Sequence, residues 1–246
     1  MIEVNKVYCD DNLNILKQIS NNFIDVIYID PPFSTGRIFK TTDGEVAYED
    51  KYTLQELLDI LEPRIVEIHR VLKESGMFYI HGDYRFIPYV RVMCDKIFGI
   101  NNFRNEIIWK YGLGGSGNRQ FSKKHDTILF YSKTDNYVFN LLYEEATSNK
   151  MKGQLKKMTD VWDIPNINNM AKERTGYPTQ KPIELLERIL KASLKFDEEI
   201  NTYSGIVADF FAGSGTTLKV AKDLGVDYIG CDSSEVAVKY INERLN

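Results

Sequence analysis

A chain of 246 residues, 43% hydrophobic and 27% charged, is long enough for one α/β domain with a substantial core and has none of the bias of a disordered or fibrous chain. No apolar run approaches the roughly 20 residues of a membrane helix, and the N-terminus lacks the basic-then-apolar profile of a signal peptide, so no membrane partner and a cytoplasmic location are expected. Cys9, Cys94 and Cys231 lie far apart, and with His69, His81 and His125 they offer neither a disulfide framework nor zinc-ligand spacing, so no metal is expected; the net charge of -4 does not by itself announce a nucleic-acid binder.

In chain order, residues 6–8 read as a short strand, and Cys9-Asp10 leads into an amphipathic helix. A strongly apolar strand follows at 24–29 and ends in Asp30-Pro31-Pro32-Phe33. Residues 34–50 are polar and glycine-containing, the pattern of a mobile loop. Apolar positions at helical spacing mark 53–72, with a kink or break expected at Pro63. A strand at 76–80 precedes a helix over 85–97, whose first turn tolerates Pro88. Gly-rich residues 112–118 come before a strand at 127–131. Thr175-Gly176-Tyr177-Pro178-Thr179-Gln180-Lys181-Pro182 opens a helix at 182–194, with Thr179 as a reasonable N-cap. A strand at 206–208, a glycine turn, a helix at 217–224, a strand at 228–230 and a helix at 235–245 complete the chain. Strands alternating with helices predict an α/β fold, a mostly parallel sheet with helices on both faces.

Three motifs carry chemistry. Asp30 ends a buried strand, where open α/β sheets collect ligands, and two prolines stiffen the backbone while leaving their carbonyls free. A carboxylate, a rigid carbonyl and the Phe33 ring suit a flat heterocycle bearing an amino group. In Asp209-Phe210-Phe211-Ala212-Gly213-Ser214-Gly215-Thr216-Thr217 two glycines allow a tight turn at a helix N-terminus, and Asp232 beyond the next strand can hold a ribose diol. The third glycine of a dinucleotide fingerprint is replaced by Leu218, which weakens a nicotinamide reading. Asp232 reads equally as a helix cap, and the Thr175–Pro182 stretch as a plain helix start.

Together and in this order the motifs resemble the β group of DNA amino-methyltransferases, with a circularly permuted motif order in which the catalytic tetrad precedes the cofactor loop by about 180 residues. The resemblance spans the chain, including 105–109 and 125–131, and implies a Rossmann-like seven-stranded methyltransferase fold in a single domain, 1–246. It implies S-adenosylmethionine as cofactor, held by Asp10, by Phe211, Ala212, Gly213, Ser214, Gly215, Thr216 and Thr217, by Asp232, and by Thr179, Gln180 and Lys181. It makes Asp30, Pro31, Pro32 and Phe33 catalytic, acting on a flipped-out base of double-stranded DNA, with Asp at the first tetrad position favouring N6 of adenine over N4 of cytosine. A target-recognition insertion is assigned by elimination to about 111–174; two basic groups, Lys110, Arg119, Lys123 and Lys124, then Lys150, Lys152, Lys156 and Lys157, lie at its start and within it. Arg37, Lys40, Arg119, Lys123, Lys124 and Lys152 are candidate DNA contacts, though each reads equally as solvated surface. A homodimer and a cognate restriction endonuclease are possible partners by the same resemblance, and no appended domain is expected after the last helix. The rival readings are a structured-RNA substrate, a nicotinamide-dependent oxidoreductase and a catalytically silent DNA-binding subunit.

Overall fold

The computed structural model describes residues 2–112, 118–146, 151–168 and 170–246. In chain order the elements are β1 (Lys6–Cys9), α1 (Asn12–Leu16), β2 (Ile24–Ile29), β3 (Arg37–Lys40), β4 (Val46–Asp50), α2 (Leu54–Val71), β5 (Leu72–Gly82), α3 (Ile87–Phe98), β6 (Phe103–Lys110) and β7 (His125–Ser132). They continue with β8 (Tyr143–Glu145), β9 (Leu155–Lys157), β10 (Val161–Asp163), α4 (Ile183–Ser193), β11 (Lys195–Asp197), β12 (Thr202–Ser204), β13 (Ile206–Asp209), α5 (Thr216–Asp223), β14 (Asp227–Asp232) and α6 (Glu235–Leu245).

The central sheet runs β1-β14-β13-β2-β5-β7-β6-β10, and every pairing is parallel except the two made by β7. Eight strands stand where seven were expected. The extra one is β10, three residues whose Trp162 is buried and whose Val161, Trp162 and Asp163 pair with Ile108, Trp109 and Lys110. It is too short and too polar on either side to show as an apolar run. Because β7 and β10 both come from 111–174 and belong to the sheet, that stretch is not one insertion laid on the domain. The Gly-rich turn and the second basic group fall partly outside the described residues, at 113–117 and at 147–150.

Alternation along the strands divides the core in two. Ile27, Ile29, Phe78 and Ile80 face α1, α2 and α3, whereas Val26, Tyr28, Met77, Tyr79, Ile128 and Phe130 face α4 and α5. Burying both faces explains why β2 and β5 read as nearly unbroken apolar runs. Pro63 does not divide α2: the helix runs from 54 to 71 as one element, begun by a reciprocal cap in which Thr53 and Glu56 satisfy each other's backbone N–H. Packing of Leu57, Leu61, Ile65 and Ile68 outweighs the single hydrogen bond that Pro63 cannot donate.

Residues 34–50 are not an open loop. They hold the β3–β4 hairpin, with Phe39 stacked on Tyr48 at 4.8 Å between centroids. The hairpin is tied across the molecule: Thr42 N–H donates to the Gly176 carbonyl at 3.0 Å, and the Ser234 hydroxyl to the Ala47 carbonyl at 2.7 Å. Gly176 has φ +91°, and a Cβ there would meet Thr42 Oγ1 at 2.6 Å, so the close approach of the two segments requires glycine.

Candidate active site

Beneath that hairpin, at the carboxyl ends of β2, β13 and β14, lies a cavity of about 700 Å³. β2 and β13 are neighbours from which the chain continues outward in opposite directions, the switch point where α/β sheets open a ligand crevice. The cavity brings together Asp30, Pro31, Pro32 and Phe33, then Phe211, Ala212, Gly213, Ser214, Thr216 and Thr217, and Thr179, Lys181 and Asp232. Motifs separated by up to about 200 residues in the chain therefore share one wall-to-wall space.

Asp30 continues β2, and its side chain is 18% exposed. Lys181 binds its Oδ2 by a short charge-assisted hydrogen bond, whereas Oδ1 is buried without a hydrogen-bond partner. The tetrad's conformation is held from beyond the motif. Asp50, 1% exposed at the end of β4, accepts N–H bonds from Phe33 (3.2 Å), Ser34 (2.9 Å) and Thr35 (2.9 Å) and the Thr35 hydroxyl (2.6 Å). Ser34 has φ +60°, and this carboxylate, with the bond from Ser34 Oγ to the Tyr52 carbonyl, offsets the cost of that backbone.

The glycine turn between β13 and α5 has φ +50° at Gly213 and +74° at Gly215. A Cβ on Gly215 would press on Ile241 of α6 at 3.0 Å, so here glycine serves helix packing as well as the turn. Asp209 joins both ends of the turn, Oδ1 accepting Phe211 N–H at 3.0 Å and Oδ2 the Thr217 hydroxyl at 2.6 Å. Burial pushes its carboxyl up to about 7, against the lowering effect of those two bonds. Asp232 accepts Gly213 N–H at 2.8 Å and Ser234 N–H at 2.9 Å, and burial raises it too. Ser234, not Asp232, caps α6. Each Asp232 oxygen retains a lone pair for a donor such as a ribose hydroxyl.

Other expected contacts fall elsewhere. Asp10 is exposed, its Oδ1 taken by Asp11 N–H and Asn14, and the cavity wall there is Asp11 and Asn12. Asn12 is buried and donates to the Phe210 carbonyl at 2.6 Å, tying α1 to the glycine turn. Gln180 points inward and builds its own loop, bonding Thr175 and the Glu173 carbonyl. Thr179 does not cap α4: it is left-handed (φ +56°), Pro182 holds the cap position, and the Glu173 carboxylate accepts Ile183 N–H at 2.9 Å. Gly215 lies behind the cavity wall. Arg37 and Lys40 are exposed on β3, in the hairpin that covers the cavity. Arg119, Lys123 and Lys124 lie just before β7, whose first residues pair with the carboxyl end of β5; Lys123 Nζ stands 4.5 Å from the Tyr84 ring centroid. Lys152 is exposed between β8 and β9, whose approach segment is fastened by Asn140 to Lys191 and Leu194 at the end of α4 remote from Lys181. The structure does not bring it to the cavity.

Two groups that motif reading missed are Asp50 and His81. His81 is fully buried behind Asp30, with Tyr28 Oη 2.8 Å from Nδ1 and Asp126 Oδ2 3.3 Å from Nε2. A lone polar residue ending the apolar run of β5 is the only trace of it in the sequence. No group of three or more His, Cys, Asp or Glu among the described residues could hold a metal.

A mostly parallel sheet with a glycine turn, a ribose-ready carboxylate and an acid-proline-proline-aromatic corner in one cavity defines the class of nucleoside-cofactor group-transfer enzymes. Residues 24–243 match the DNA methylase family, the N6/N4 methyltransferases, and the chain belongs to that family. It is 31% identical over 98% of its length, and 74% of the relative's, to the type II methyltransferase M.HpaI of Haemophilus parainfluenzae. It is 30% identical over 99% of its length, and 83% of the relative's, to the DNA adenine methyltransferase YhdJ of Escherichia coli K12. In fold it is similar to the cytosine-N4-specific PvuII DNA methyltransferase (TM-score 0.73, 17% identity, 100% and 88% of the two chains). It is likewise similar to M1.HpyAVI in its complex with S-adenosylmethionine (TM-score 0.66, 22% identity, 98% of each). S-adenosylmethionine is the methyl donor of this family, and the glycine turn, the Asp232 carboxylate and the cavity's size fit it.

Proposed function

We propose that this protein methylates N6 of adenine in double-stranded DNA, acting on a base turned out of the helix into the cavity. The observation that carries the reading is Asp30 Oδ1, a buried carboxylate oxygen with no partner at the wall of the cavity, next to a proline carbonyl and an aromatic ring. Oδ1 accepts one amino hydrogen, the Pro31 carbonyl the other, and Phe33 stacks on the ring. These bonds draw the nitrogen lone pair out of conjugation, while Lys181 on Oδ2 holds the carboxylate in its orientation. The bound cofactor supplies an electrophilic methyl group on its sulfonium. Asp232 takes the ribose, and the Asp11–Asn12 and Phe211–Thr217 walls take the rest of the nucleoside.

Adenine is favoured by Asp at the first tetrad position and by the adenine methyltransferase named among the relatives. The type II relative makes a cognate restriction endonuclease a reasonable partner. The candidate DNA contacts are Arg37 and Lys40 on the hairpin that covers the cavity, Arg119, Lys123 and Lys124 ahead of β7, and Lys152 between β8 and β9, away from the cavity wall. The test is incubation with methyl-labelled S-adenosylmethionine and unmethylated DNA, followed by nucleoside analysis. Label in N6-methyladenine is the expected result, and label in N4-methylcytosine would move the same chemistry to the other base. Asp30→Ala should abolish transfer and leave cofactor binding nearly intact; normal turnover by that variant would refute the role of Oδ1.

A further inference from the structure

Methylating an amino group releases one proton, and the cavity has a receiver for it that no motif contains. We propose that His81, oriented by Asp126 and acting through Asp30, accepts the proton that the target amino group loses on methylation. The inference rests on the amino-methylation reading above, for either base.

Tyr28 and Asp30 on β2, His81 on β5 and Asp126 on β7 all fall on the α4 face, because Val26, Met77, Tyr79, Ile128 and Phe130, at the same parity, pack there. Register then makes them neighbours: Ile29 pairs with Ile80, and His81 with Ile128. The imidazole is 0% exposed and enclosed by the Phe33 and Trp109 rings, with centroids at 5.7 and 5.5 Å. Its charged and titratable neighbours are Tyr28, Asp30, Asp126 and, across Asp30, Lys181.

Polar bookkeeping fixes the tautomer. Burial raises the Tyr28 hydroxyl far above its ordinary range, so it stays O–H and donates to Nδ1. The ring proton is then on Nε2, facing Asp126 Oδ2 at 3.3 Å, close but off the line of a good hydrogen bond. Burial opposes ionised Asp126, yet His81, then Lys181 and the Tyr111 hydroxyl, hold its carboxyl below the usual range. On the other side Nδ1 faces Asp30 Oδ1 at 3.6 Å. The single Nδ1 lone pair is engaged by Tyr28, and the two buried side-chain atoms without partners among the described residues are Asp30 Oδ1 and His81 Nε2. That arrangement becomes favourable when one proton enters it.

The amino nitrogen's lone pair forms the new N–C bond as the S–C bond breaks, its electrons remaining on sulfur. The nitrogen, now positive, gives one proton to Asp30. Oδ1 passes it on to Nδ1 as the Tyr28 hydroxyl turns its own hydrogen away, and the imidazolium stands between the Asp30 and Asp126 carboxylates. When product leaves, the proton returns through Asp30 to water in the opened cavity.

Two readouts test this. In the protein without ligand, 15N NMR of the imidazoles, assigned with His81→Gln, should show His81 as the Nε2–H tautomer; an Nδ1–H tautomer would place a proton against Asp30 and overturn the proposal. In single-turnover methylation, His81→Gln and Asp126→Asn should each slow transfer by about 10²-fold or more and run slower in D2O than in H2O, while the wild type shows no such difference. S-adenosylmethionine affinity measured on each variant reports whether it is folded. Variants that bind cofactor yet keep the wild-type rate, or are slowed equally in both solvents, overturn the proton role alone. Absence of amino-methylated nucleosides with the wild type overturns the function reading and this inference with it.

Discussion

Asp209 makes the folded protein respond to pH through the cofactor loop. The residue ends β13, is 3% exposed, and its two oxygens hold Phe211 N–H and the Thr217 hydroxyl. Burial lifts its carboxyl from 3.8 to about 7. Below the unfolded value both states are protonated, and the group's contribution to stability is fully present. As pH rises, the unfolded chain loses its proton first while the folded protein keeps it, so stability falls continuously until the folded group ionises near 7. The shift of about 3 units at 1.36 kcal/mol each sets an upper limit of ~4 kcal/mol on the loss. Urea unfolding without cofactor, at several values between pH 4 and 8, measures it for the wild type and for Asp209→Asn. Other carboxyls tilt both curves alike, so the difference between them isolates Asp209: the wild type should lose a few kcal/mol more than the variant as pH rises. Parallel curves would refute the reasoning. A cationic cofactor bound beside Asp209 favours its ionised form, so affinity for S-adenosylmethionine should rise through the same window in the wild type and stay flat in the variant.

Asp50→Ala leaves three backbone N–H groups and the Thr35 hydroxyl without their acceptor, so single-turnover methylation should fall at least about tenfold, with cofactor affinity changed far less, because the tetrad and not the glycine turn is released. Equal losses in both would show that the hairpin serves cofactor binding. Gly230→Ala places a Cβ 2.3 Å from Leu218 Cδ1 and should cost about 1–3 kcal/mol in urea unfolding; Leu218→Ala in the same chain should recover part of it, and additive losses would contradict the contact. Arg37→Ala and Lys40→Ala should each lower the slope of log affinity for DNA against log salt by about 1 if the hairpin lies on phosphates, and an unchanged slope removes that residue from the interface.

The strands legible in the sequence are those buried on both faces. β2 and β5 carry aliphatic and aromatic residues at both parities because helices cover each side. β3, β4 and β10 were not legible, for different reasons. Only Phe39 of the four β3 residues is even half-buried, and the β3–β4 hairpin is held by cross-molecule bonds to Gly176 and Ser234 that no local pattern encodes. β10 is three residues whose partner, β6, ends about 50 residues earlier. The same distinction runs through the site. Asp30, the glycine turn and Asp232 are visible because each terminates a strong strand. Asp50 and His81 are not, since what gives them a task lies 15 to 53 residues away in the chain.

Leu218 shows how a departure from a familiar motif can be rebuilt in three dimensions. A dinucleotide fold has glycine at this position of the helix so that the helix can approach the sheet. Here the helix keeps a leucine, fully buried, and the glycine stands on the strand instead, at Gly230, directly beneath it. Close packing of α5 on β14 survives with the small residue moved to the other partner. That packing fixes Asp232 two residues further along β14, and Asp232 Oδ2 in turn holds Gly213 N–H. The approach of helix to strand, the position of the carboxylate and the shape of the glycine turn are therefore one constraint. A substitution at Gly230 should be felt in cofactor affinity even though the residue is not part of the cavity wall.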